Sequence, residues 1–233
     1  MSNFCCADIE TVPNPDLPKE CIPQFDPDSV KLGNLKDKDK IEAKIEEARQ
    51  EFDRGLVKKM SLDPDLCRVV CVGYADRTGA STYMAETARD KHRQYTVIEY
   101  AISYINSHYL AHHPLITFNG ISFDLPVLWH SAIRLGIPVD PQMYKDLTKK
   151  HDNRYHYDLF PILCDWDRQR YKGRGLEFWA RLYGIGEKMG DGSEIYGWWQ
   201  AKEYEKIRQH CEADVNVTVK LWERIEPYVR EKE

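Results

Sequence analysis

Residues 3–15 read NFCCADIETVPNP. A run of apolar and small residues leads into Asp8 and Glu10, and prolines follow at 13 and 15. Side chains on a strand alternate between faces, so a strand over 3–10 puts Phe4, Cys6, Asp8 and Glu10 on one face and Cys5, Ala7 and Ile9 on the other. Two carboxylates then stand side by side. Like charges held that close raise each other's pKa unless a cation lies between them or solvent screens them. From this stretch alone, a divalent metal site and a strand ending in water are equal readings.

The chain of 233 residues, 42% hydrophobic and 30% charged, has the make-up of an ordinary globular protein. No run approaches the ~18–20 apolar residues of a membrane span, and no basic-then-apolar leader opens the sequence. The expectation is a cytoplasmic protein with no membrane contact. Cysteines at 5, 6, 21, 67, 71, 164 and 211 lack zinc-type spacing and read as reduced, mostly buried thiols. The net charge of -5 gives no global basic footprint. Locally, Lys145, Lys149, Lys150, Arg154, Arg168, Arg170, Lys172 and Arg174 interleave with Tyr155, Tyr157, Trp166 and Tyr171. That pattern suits phosphate contact with base stacking, or a solvated charged face.

Five prolines within 11–35 mark an extended loop. In KDKDKIEAKIEEARQEFDRGL (36–56), Ile41, Ile45, Ala48 and Phe52 recur at helical spacing, which predicts an amphipathic helix with a narrow apolar face. It reads as an insertion lying on the main body. RVVCVGYA (68–75) is a strand, and residues 81–85 pair with it across a turn at 76–79. A helix follows over 95–110, then a short strand over 115–118 and a helix from Asp124 to about Gly136. Further helices are expected from about Leu159, over 176–183, and from about Lys202 to Ile225, with a glycine-rich loop over 184–197. Strands come early and helices flank them, so residues 1–233 read as one α/β domain with a mixed central sheet.

Three placements of acids connect these elements. Asp8 and Glu10 lie on the first strand. In TFNGISFDLPVL (117–128), Asp124 sits at a strand-to-helix junction, where the local alternative is an N-cap. On the last helix, Ile207, Cys211, Asp214, Thr218, Leu221 and Ile225 form one stripe, with Asp214 in its middle and His210 four residues before it. A lone buried carboxylate is costly, so Asp214 is either paired, metal-bound or at the edge of the stripe.

In that order, ADIET, FNGISFD and HCEADV resemble the three motifs of the DEDD superfamily of 3′→5′ exonucleases. The NGxxFD form is similar to that of the proofreading exonuclease domain of family B DNA polymerases. GLEFWARLYGI (175–185), followed by Lys188, a glycine-rich loop and a tryptophan, resembles stand-alone predicted exonucleases related to that domain. The resemblance covers most of the chain, the 36–56 helix excepted. It departs in one place: the polymerase-like branch has Tyr-x-x-x-Asp in the third motif, and here His210 takes the tyrosine's position. Tyr204 is too far from Asp214 to replace it.

The resemblance implies a ribonuclease H-like fold and a catalytic set of Asp8, Glu10, Asp124, His210 and Asp214. Asp8, Glu10, Asp124 and Asp214 would hold two Mg²⁺ or Mn²⁺ ions, and His210 would take the proton of the attacking water. Asp158, in HYDLF, falls where relatives often keep an acid and reads as structural or as an outer partner of the site. Asn119, Phe123, Arg168, Arg170 and Lys188 would contact the strand. The implied reaction releases nucleoside 5′-monophosphates from single-stranded DNA. An exoribonuclease or an attenuated nucleic-acid-binding module is the alternative. With no polymerase domain attached, a replication or repair partner would act in trans.

Overall fold

The computed structural model describes residues 3–76, 79–84, 91–167, 169, 171–185 and 192–230. The first strand, β1 (Cys5–Pro13), is the central one. β2 (Cys67–Asp76) runs antiparallel on one side of it and carries β3 (Gly79–Met84) at the edge. On the other side β4 (Leu115–Thr117) runs parallel to β1, and β5 (His156–Asp158) parallel to β4. The order β3-β2-β1-β4-β5 is the mixed sheet expected from the sequence.

The alternation along β1 feeds two core layers. Cys5, Ala7 and Ile9 join Val97, Ile98, Ala101 and Ile105 of α2 (Lys91–Leu110), Leu125 and Leu128 of α3 (Asp124–Leu135), and Met143 and Leu147 of α4 (Pro141–Leu147). Phe4 and Cys6 face the other way. They join Leu159 of α5 (Leu159–Leu163), Leu176 and Trp179 of α6 (Leu176–Tyr183), and Val215, Leu221 and Trp222 of α8 (Tyr204–Val229). Each such large apolar side chain contributes about 1.5–3 kcal/mol on burial.

The structure corrects several boundaries. β1 does not end at Glu10. Its pairing with β2 continues to Pro13, with a register shift between Glu10 and Thr11 where β2 carries one extra residue. That bulge turns the consecutive residues Val70 and Cys71 to the same side, where they pack with Val12, Ile207 and Cys211. The predicted 36–56 helix is α1 (Lys38–Ser61), capped by the Asp37 side chain, which accepts from the N–H groups of Asp39 and Lys40. Only Met60 of α1 is buried. The segment expected to be loop over 184–197 contains a helix, α7 (Ile195–Gln200), because Ile195 and Trp199 pack beneath the N-terminal turns of α8. α4, capped by Asp140 with Pro141 in its first turn, and the three-residue β5 are further elements absent from the sequence reading. Among the described residues no helix is long and apolar enough to cross a membrane.

Candidate functional site

β4 pairs with β1 only at Cys5 and Cys6 and then stops, while β1 continues. The backbone of Ile9 is thereby open on the β4 side, and its N–H donates to the carboxylate of Asp124. Asp124 reaches it because the chain turns sharply after β4. Asn119 adopts the left-handed conformation at φ 74°. A Cβ on Gly120 would lie 2.3 Å from Thr117 Oγ1, so the turn admits glycine alone.

Asp158 grips the same turn. It is 1% exposed, and its two oxygens accept the backbone N–H groups of Asn119 at 2.6 Å and Ile121 at 2.9 Å. A second chain of bonds supports it from below. His156 Nδ1 faces the Leu147 carbonyl at 2.6 Å and so carries the ring proton. Its Nε2 accepts from Thr117 Oγ1–H at 2.8 Å, and Thr117 Oγ1 accepts from Gly120 N–H at 3.2 Å. Asp124 is not the N-cap that local sequence suggests. Phe123 holds that position, and the Asp124 carboxylate faces β1. Burial first, then the Asp158 and Glu10 charges, push its pKa up to about 8.

α8 closes the site from the opposite layer. It approaches β2 at Gly73, where a Cβ would lie 2.7 Å from Val215 and 2.8 Å from Cys211 Sγ. Gly73 pairs with Asp8 in register, so the closest approach of the helix falls beside the acids. His210, 1% exposed, places Nδ1 2.8 Å from Glu10 Oε1. Ligand atoms of Glu10, His210 and Asp214 lie within 4.8 Å of one another, as do those of Asp8, Glu10 and Cys211. Cys211 Sγ also reaches the Asp8 carbonyl at 3.9 Å.

The structure thus gathers Asp8, Glu10, His210 and Asp214 around Glu10, with Asp124 joined through Ile9 N–H. Asn119 and Phe123 lie on the turn that delivers Asp124. The Asn119 side-chain oxygen is buried with no hydrogen-bond partner among the described residues. Arg168, Arg170 and Lys188 lie outside the described residues. In the basic stretch at 145–174, Lys149 and Arg154 both bind Asp152, at 2.8 and 2.7 Å, and Arg174 lies over the Tyr171 and Phe178 rings. Tyr204 packs on Trp199 rather than at the acids. Sequence reasoning read Cys211 only as part of the apolar stripe and passed over Gly73 and Trp198, whose half-buried ring meets His210 edge-on at 5.9 Å. A glycine within a β pattern was the available signal for Gly73.

The sequence over residues 61–231 matches a family described as a predicted 3′-5′ exonuclease related to the exonuclease domain of PolB. The chain belongs to this family. The family match begins at the last residue of α1, so it includes Asp124, His210 and Asp214, while β1 lies outside it. Among solved structures, this predicted exonuclease is similar to the family B DNA polymerase of the hyperthermophilic archaeon Pyrobaculum calidifontis, with a TM-score of 0.61 and 20% identity. The likeness covers 97% of this chain and 24% of the polymerase, and at that identity it speaks for the fold, which is ribonuclease H-like. No curated protein matches the sequence.

The donor set of the predicted exonuclease suits a hard divalent cation. It is rich in carboxylate oxygens, and burial, followed by the charges of Asp158 and Glu10, already raises Asp124.

Proposed function

We propose that this chain is a metal-dependent 3′–5′ exonuclease that acts on single-stranded DNA and releases nucleoside 5′-monophosphates. The observation that carries the proposal is the convergence of Asp8, Glu10, His210 and Asp214 from β1 and α8, with Asp124 brought to the same stretch of β1. Asp8, Glu10, Asp124 and Asp214 would hold Mg²⁺ or Mn²⁺, two ions in all. When bound, these supply Lewis-acid activation of water and charge stabilisation at the leaving 3′ oxygen.

The chain's own residues do the rest. Glu10 accepts from His210 Nδ1–H, which orients the ring, and Nε2 would serve as the base for a water proton. Asp158 holds the 119–121 turn and thereby aims Asp124. Trp198 lies with its ring beside His210, and Asn119 and Phe123 lie on the turn that leads into Asp124. Together they suit an unstacked strand end. Arg168, Arg170 and Lys188 would add backbone contacts.

The test is a 5′-labelled DNA oligonucleotide and its RNA counterpart, each with Mn²⁺, Mg²⁺ or EDTA, for wild type, Asp8→Ala and His210→Ala. A ladder shortening from the 3′ end in metal, lost in Asp8→Ala, is expected, with DNA degraded faster than RNA. Faster cleavage of RNA reassigns the substrate. No cleavage of either strand by folded protein under any metal overturns the nuclease reading.

A further inference from the structure

α2 ends in a way that builds a pair of ligands. His112 adopts φ 56°, its N–H donates to the Tyr109 carbonyl at 3.0 Å, and the N–H of His113 reaches back to the His108 carbonyl at 2.9 Å. These are the two bonds of a Schellman cap, with a histidine where glycine is usual. Such caps bring the side chain three positions inside the helix end against the one two positions beyond it, normally in an apolar contact. Here both are histidines. The rings of His108 and His113 lie 5.4 Å apart by centroid, and their Nδ1 atoms are 3.2 Å apart.

The pair is held from both sides. Pro114 restricts the backbone of His113, and its carbonyl accepts from Cys5 N–H at 3.1 Å, at the start of β1. The His108 ring packs on Tyr104, with centroids 4.6 Å apart. Both histidines are half-buried and open to solvent on one side. A tetrahedral ion with metal–nitrogen bonds of ~2.0–2.1 Å sets its two nitrogens about 3.3 Å apart. The observed spacing is already that of two ligands on one ion.

We propose that His108 and His113 form a two-histidine site for a borderline transition-metal ion of the Ni²⁺ or Zn²⁺ class, with water completing the shell. Burial and the neighbouring His113 hold the pKa of His108 below its usual value, which keeps it in the neutral, ligating form. One ring now donates Nδ1–H to the other. On metal binding that proton moves to the donor ring's own Nε2 through solvent, so no net proton is released. The site stands apart from the carboxylates. Leu115 pairs with Cys5, and Asp8 lies three residues further along β1, about 10 Å away at ~3.3 Å per residue. The carboxylate centre also contains His210 and Cys211, so it too can take Ni²⁺ or Zn²⁺, and the two places are told apart by variants at each.

The experiment is calorimetric titration of the full chain with NiCl₂ and with ZnCl₂, in excess Mg²⁺, for wild type, His108→Phe and His113→Phe. Phenylalanine keeps a ring in the cap contact, and the thermal midpoint without Ni²⁺ or Zn²⁺ reports whether the cap still folds. An Asp8→Ala/Asp214→Ala protein, titrated alongside, reads the site with the carboxylate centre disabled. One equivalent of Ni²⁺ is expected in the double variant, and each phenylalanine variant is expected to bind one equivalent less than wild type at unchanged midpoint. Equal Ni²⁺ binding by wild type and His113→Phe overturns the proposal, as does an absence of Ni²⁺ binding by wild type.

Discussion

α1 and α8 are both long amphipathic helices, of 24 and 26 residues, and the molecule uses them in opposite ways. α1 buries Met60 alone. Its apolar positions Ile41, Ile45, Ala48 and Phe52 are only half-covered, and Phe52 meets Phe25 of the preceding loop at 5.8 Å. α8 buries Ile207, Cys211, Val215, Leu221, Trp222 and Ile225, with Asp214 and His210 among them. An apolar stripe alone therefore says little about what a helix is for. A stripe that accepts an acid and an imidazole says more, because burying a carboxylate costs several kcal/mol unless something compensates it. The family match respects the same division: it begins as α1 ends and runs through α8.

The comparison breaks most sharply at Asp214. Asp214→Ala is expected to lower metal-dependent cleavage by roughly 10³-fold or more with the fold intact, read as initial rates beside circular dichroism. A variant that keeps its rate would make the buried acid of α8 structural. For stability, Leu221→Ala should cost about 2–5 kcal/mol in urea unfolding, since Leu221 is fully buried in the α8 layer. Gly73→Ala follows at about 1–3 kcal/mol, because the added methyl meets Val215 and Cys211 and moves α8 off β2. Its cleavage rate should fall with it, as Asp214 and His210 shift away from Glu10.

The site also responds to pH through Asp124 at the start of α3. Asp124 has its folded pKa raised to about 8, above the ordinary unfolded carboxylate value near 3.9. Its folded state binds more protons, so the contribution is fully present below the unfolded value and is lost as pH rises through about 8. The metal-free thermal midpoint should therefore fall with rising pH across this window, and Asp124→Asn should flatten the slope. A slope unchanged in Asp124→Asn would assign it elsewhere. Smallest of all, Ile45→Ala in α1 should cost under ~1 kcal/mol, since its site is already half-open to water.

The alternation of NFCCADIE was legible because period two is a strong signal, and both faces of β1 went where it sent them. Its end was not legible. Pro13 reads as a terminator, yet an antiparallel partner with a bulge carries the strand past Glu10. The acids therefore sit inside the sheet and not at a wet end. α7 was missed because IYGWWQ has weak helix propensity, and its helix rests on the packing of Ile195 and Trp199, which depends on α8. α4 did carry its signal, Asp140 followed by Pro141, in a segment too short for periodicity to speak. At the site, the motifs marked the acids, but the register that places Gly73 opposite Asp8 and the bonds from Asp158 to the 119–121 turn exist only in three dimensions.

The acids come from places far apart in the order of synthesis. Asp8 and Glu10 emerge first, Asp124 midway, and His210 and Asp214 near the last of the residues described. A chain growing on a ribosome is surrounded by nucleic acid throughout. Because α8 supplies both His210 and Asp214, no shorter nascent chain holds the full set of donors. For the exonuclease proposed above, the dispersal of the site along the gene would delay activity until the last helix docks.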